Sequence, residues 1–157
     1  MAFPNNIKTG FENDLSCLEK KELEINIKSS IMAFTEYAMK SASLYVEHSK
    51  RNVVTVSDIK KGLMIEVFKY FNRSDLLNNV QRWRETIIIE ENLNEEDLSE
   101  EEYSEEEYCD ENINIPEKIV CKCINCIEFI DIESKWKNYV PNDELGKIMK
   151  INIDKMM

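Results

Sequence analysis

Between Asn26 and Ser49 the chain has neither Gly nor Pro, and Ile27, Ile31, Phe34, Ala38, Ala42 and Tyr45 recur at spacings of three and four. That period predicts a long amphipathic α-helix of roughly seven turns. Met32, Tyr37, Met39, Leu44 and Val46 add apolar groups away from that stripe, so the helix is expected to be covered on two sides, by its own chain and by a partner. The β-branched stretch RNVVTV, Arg51 to Val56, interrupts the period. A second helix is expected from Ser57, which can cap it, with Asp58 favouring its positive end. Ile59, Leu63, Val67, Phe68 and Phe71 carry it to about Asn72. Asn72, Arg73 and Ser74 form a break, and Ser74 is a natural cap for a further helix from Asp75 to about Ile89. Upstream, Phe11, Leu15 and Leu18 suggest a short first helix ending near Lys20 and Lys21. The layout expected for residues 1–90 is all-α: short helix, long helix, short helix, appended helix.

From residue 91 the pattern changes. The run EENLNEEDLSEEEYSEEEYCDEN has too few apolar residues to offset chain entropy, and residues 91–115 read as an acidic disordered linker. Its densest part, Glu100 to Glu107, is either a solubilising face or a competitor for basic surfaces. Apolar groups return in residues 116–157: CKCINCIEFIDIESKW, then Leu145, Ile148, Met149 and Ile153 after Pro141, which mark a terminal amphipathic helix. This small segment either folds back on the preceding helices or docks elsewhere. Trp136, Tyr139 and Pro141 read as a small core or as an anchor for a partner.

Composition agrees with one folded domain plus appendages. Of the 157 residues 43% are hydrophobic and 32% charged, with three Gly and three Pro. No signal-peptide pattern opens the chain and no apolar run is long enough to span a membrane. The net charge of -11 is unevenly placed. Residues 1–90 hold 13 Lys and Arg against 12 Asp and Glu, and residues 91–157 hold 7 against 19. The expected folded part is neutral, and the acid lies beyond it.

Five cysteines with three crowded between Cys121 and Cys126 do not form a secreted disulfide framework, and they suit a reducing compartment. Cys121, Cys123 and Cys126 make a C-x-C-x-x-C cluster, and Cys109 is a candidate fourth thiolate for a tetrahedral structural zinc. The competing reading is reduced thiols with no cofactor, since a second C-x-x-C pair is missing. No nucleophile–base pair, phosphate-binding glycine loop or paired catalytic carboxylates stands out, so no enzymatic role is expected.

The stretch YVEHSKRNVVTVSDIKKGL, Tyr45 to Leu63, is similar to the corresponding part of core histone four and of archaeal histones, and a looser likeness extends over residues 10–75. The resemblance implies a histone fold that pairs with another histone-fold chain, identical or different, in a DNA-associated assembly such as chromatin or a packaged viral genome. It also implies an ion pair between Arg51 and Asp58 that locks the loop to the next helix. It places Lys50, Arg51 and Thr55 near DNA phosphate. The candidate pairing surface is Ile27, Ile31, Phe34, Ala38, Tyr45, His48, Leu63 and Val67. His48, the lone histidine, reads as a polar residue of that surface and not as a metal ligand or catalytic base. The chain departs from the family at Val53, where a Thr braces a groove-inserted Arg, and in its N-terminal residues, which are near neutral where the family is basic. These departures keep two alternatives open: a transcription-regulator subunit, and an interaction or chaperone-like module that does not itself bind DNA. The nucleus, another intracellular site or a virion is the expected location.

Overall fold

A computed structural model describes residues 16–94 and 121–156. These form five α-helices and one short 3-10 turn, with no strand among the described residues: α1 Cys17–His48, α2 Val56–Lys69, the turn Tyr70–Asn72, α3 Leu76–Asn94, α4 Ile124–Lys137 and α5 Glu144–Asp154. The all-α class read from the periodicity is observed. No described helix is long and apolar enough to cross a membrane.

α1 begins earlier than its apolar period suggested. The Ser16 hydroxyl accepts from the Glu19 backbone N–H at 3.3 Å, and the Glu19 carboxylate accepts from the Ser16 N–H at 2.7 Å. This capping box satisfies two otherwise orphaned N–H groups. The sequence from Cys17 to Asn26 then offers no breaker. The expected end of a short helix near Lys20 and Lys21 is therefore corrected: both residues lie inside one helix of 32 residues, roughly 48 Å long. Any short first helix would fall in residues 1–15, outside the described residues.

The other end of α1 closes with a Schellman motif. The Arg51 N–H donates to Val46 O at 3.1 Å and the Lys50 N–H to Glu47 O at 2.9 Å. Such a turn needs a left-handed residue after the helix, usually Gly. Here Lys50 takes it, at φ 54°. α2 starts at Val56, one residue before the expected start at Ser57, with Thr55 as its cap. The reason is that Thr55 and Asp58 form a second capping box, so Asp58 occupies the third helical position. α3 starts at Leu76 and runs to Asn94, beyond the expected end at Ile89. Lys28 of α1 reaches Glu91 at 3.3 Å, which gives the acidic continuation a partner. The expected linker otherwise lies outside the described residues.

α2 and α3 pack on α1, and α4 and α5 fold back over α2. The crossing of α1 and α2 is close because position 62 is Gly: a Cβ there would stand 2.6 Å from the Ala38 carbonyl oxygen. Two clusters result. The larger joins Ala42 and Tyr45 of α1 and Met64 and Ile65 of α2 to Cys126, Phe129, Ile132, Trp136 and Ile153. Tyr45 and Phe129 stack with ring centres 4.6 Å apart. The smaller joins Ala33 and Tyr37 to Tyr70, edged by Phe34, Leu76, Val80 and Trp83. Glu66, wholly buried, is paired with Arg73, whose guanidinium also lies 4.5 Å from the Tyr37 ring centre.

Candidate functional site

Three places collect the residues singled out from the sequence: the loop between α1 and α2, the meeting point of α1 and α4, and the open face of α1.

In the loop, Arg51 and Asp58 form a bidentate pair, with Nη1 to Oδ2 at 2.8 Å and Nη2 to Oδ1 at 2.7 Å. Their side chains are only 9% and 6% exposed. Asp58 Oδ2 also accepts from the Thr55 N–H and hydroxyl, each at 2.8 Å. Burial alone would push the Asp58 carboxyl up, but the hydrogen bonds from Arg51 and Thr55 outweigh it and hold it below its ordinary value. A planar guanidinium used on both prongs, in a shielded place, makes a firm lock. Of the three candidate phosphate contacts, Arg51 and Thr55 are therefore committed within the chain. Lys50 is exposed.

At the end of α1, His48 leaves the pairing surface expected for it. Its Nδ1 lies 3.3 Å from Cys123 Sγ and 3.4 Å from both Cys121 Sγ and Cys126 Sγ. The four ligand atoms are all within 4.8 Å of one another, and together they could hold a metal ion such as zinc. The geometry follows from local structure. Cys123 is the residue before the first turn of α4, and Cys126 sits one turn on, fully buried. The Asn125 side-chain N–H donates to Ser41 O at 3.1 Å and ties this turn to α1. The backbone N–H of Cys126, helped by Cys126, Cys121 and His48 side chains, draws the Cys123 thiol down to about 6. Burial, then the neighbouring thiols, push the Cys126 thiol up to about 12. One sulfur is thus ready to ionise near neutrality while its neighbour resists a second negative charge, a conflict that a cation would resolve. Cys109, the expected fourth ligand, lies outside the described residues. His48 was missed because its partners stand more than 70 positions away; the one available signal was a solitary histidine at a helix end.

The remaining pairing candidates divide. Ala38 is fully buried and Tyr45 nearly so, both within the chain, and Leu63 and Val67 edge the larger cluster. Ala38 and Tyr45 are thus unavailable to a partner, because Gly62 and Phe129 occupy those positions. Ile27 and Ile31 are open, at 51% and 57% exposure. Ile31, Phe34, Val67, Phe71, Leu145 and Ile148 line an apolar groove of about 510 Å3 between α1 and α5. Trp136 and Tyr139 are core residues: Trp136 is buried and donates from Nε1 to Asp154 at 2.7 Å, and Tyr139 meets Phe68 edge-on.

No family model matches the chain, nor does any curated protein or solved structure.

Proposed function

We propose that the chain is a histone-like pairing subunit of a DNA-associated assembly, non-enzymatic, which binds a second histone-like chain, in the simplest case a second copy, through the open face of α1. The observation that carries this reading is the continuous apolar strip of Leu23, Ile27 and Ile31, which runs on into the groove beside Phe34. Leu23, Ile27 and Ile31 lie at intervals of four on one helix face, and a contiguous exposed apolar strip marks an interaction surface. A two-fold contact of α1 against its copy would bury the same strip on both chains. Residues 1–90, which carry the strip, are close to neutral. The Arg51–Asp58 lock, implied by the histone likeness, supports the same family reading.

A second reading, an interaction module that does not itself touch DNA, is favoured by the burial of Arg51 and the capping role of Thr55. Lys50 alone adds little phosphate neutralisation. Sedimentation of the full chain over a concentration range, alone and with duplex DNA at several salt concentrations, tests both. We expect a concentration-dependent dimer, a dimer weakened at least ~10-fold by Ile27→Asp with Ile31→Asp, and salt-sensitive DNA binding by the dimer. A chain that stays monomeric overturns self-pairing. If loss of residues 1–15 restores pairing, those residues are the occupant of the strip. A dimer that ignores DNA even at low salt leaves the interaction-module reading.

A further inference from the structure

We propose that His48, Cys121, Cys123 and Cys126 form a structural zinc site that clamps the segment 121–156 to the end of α1. This inference stands apart from the pairing role above and does not depend on it.

The donor set is the first argument. Three thiols and one imidazole are a Cys3His set, suited to zinc by ligand softness and number. The distances are the second. Zn–S bonds of ~2.3 Å and Zn–N bonds of ~2.0 to 2.1 Å at tetrahedral angles put nitrogen and sulfur about 3.6 Å apart and sulfurs about 3.8 Å apart. The three N···S separations, 3.3 to 3.4 Å, are within a few tenths of that edge, and all four ligand atoms lie within 4.8 Å of one another, so the sulfurs need to draw in by no more than about 1 Å to close the tetrahedron. The third argument is convergence. Cys121, Cys123 and Cys126 come from the start of α4, and His48 from the last turn of α1, 73 to 78 positions away. A reduced-thiol core needs neither the imidazole nor three sulfurs turned toward one nitrogen. Four protein ligands fill a tetrahedron and leave no open position, which makes the site structural and not catalytic.

Binding requires the thiols to lose their protons, so each ion bound releases protons to solvent, and the bound ion holds all three sulfurs as thiolates. The chain is neither oxidised nor reduced. Metal binding also closes the long connection between α1 and α4, so folding of the C-terminal segment and metal affinity are coupled.

The test uses the full chain, reduced and stripped with a chelator, then titrated with Co(II) as a spectroscopic probe and with Zn(II) in competition. The expected result is one metal per chain, the intense visible bands of tetrahedral Co(II) with thiolate charge transfer in the near ultraviolet, and a higher melting temperature with zinc. Cys126→Ser and Cys121→Ser should remove the charge-transfer intensity. His48→Gln, which leaves the thiols in place, should lower zinc affinity by roughly 100-fold and alter the visible bands. Cys109→Ser should leave spectrum and affinity unchanged. Helical circular dichroism of each stripped variant separates lost ligation from lost folding. No Co(II) spectrum in a folded wild-type chain overturns the site. A spectrum that survives His48→Gln but not Cys109→Ser overturns this ligand set in favour of four thiolates.

Discussion

The two halves of α1 are held by different chemistry. Past Ala38, the helix packs into the larger cluster, where Ala42 and Tyr45 meet Met64, Ile65, Phe129 and Trp136 in a largely apolar interface. Before it, α1 buries a thinner row of Ile25, Ser29, Ala33 and Tyr37 and meets α3 through the smaller cluster, with Leu76, Val80 and Trp83, flanked by a set of charge pairs. Lys28 reaches Glu91, Arg84 reaches Glu22, and Glu36 receives Arg82 and the Trp83 N–H, with Lys40 of α1 itself as a further partner. The first half also carries the exposed Leu23, Ile27 and Ile31. One helix thus serves two purposes: its end is completed by its own chain, and its beginning retains apolar surface. The lesson is that exposure along α1 follows which elements the chain itself supplies. α4 and α5 cover only what α2 leaves open near the end of the helix.

The sharpest way to break this contrast is Phe129→Ala. Phe129 is fully buried and stacked on Tyr45, and a cavity there should cost about 3 to 5 kcal/mol in denaturant unfolding. A loss under ~1 kcal/mol would mean that α4 is not part of the core. Acid should act on both halves. Burial would raise the Glu36 carboxyl, but the hydrogen bonds from Lys40 and Trp83 and the Arg82 charge hold it at about 2, against an ordinary 4.5. Asp58 is likewise lowered from 3.8. A carboxylate lowered by folding contributes stability that is fully present above its unfolded value and is lost as pH falls through its folded value. Unfolding free energy should therefore hold down to about pH 4.5 and then fall toward pH 2. Glu36→Gln should flatten part of that fall; an unchanged acid limb would remove Glu36 from the balance. The smallest effect is expected at the exposed pair of Lys28 and Glu91. Glu91→Gln should lower stability only slightly, and less in high salt. A larger cost, insensitive to salt, would show that the first half of α1 is held more firmly than its exposure implies.

The contrast also sorts what could be read from residues alone. The long helix, the loop at Arg51 and the helical period of α2 depend on neighbours in sequence, and they were legible. The Arg51–Asp58 pair was expected from the histone resemblance, not from the period. Helix ends were not legible. The Ser16–Glu19 box gives α1 a start that the apolar period does not reveal, and Thr55 takes a cap assigned to Ser57. α3 outran its apolar stripe because Glu91 finds Lys28 on another helix. At the thiol cluster three residues were visible as a motif, while His48 became their neighbour only through the return of α4 onto α1. Ala38 and Tyr45 were placed at a partner interface for the same reason: the covering groups, Gly62 and Phe129, come from elements whose position the period cannot supply.

The return of α4 to the end of α1 also fixes where an electrolyte is tethered. Cys121 lies beside His48, two residues before Lys50. Residues 95–120 join α3 to that point, and they hold twelve carboxylates against one ammonium, Lys118, which equals the whole chain's excess of -11. Their contour is roughly 90 Å fully extended. No carboxylate of this segment can lie farther from Cys121 than the covalent chain between them reaches. A cationic surface that approaches the Lys50 loop would thus meet a polyanion whose local concentration is set by covalent reach, on the order of millimolar, whatever the protein's concentration in bulk.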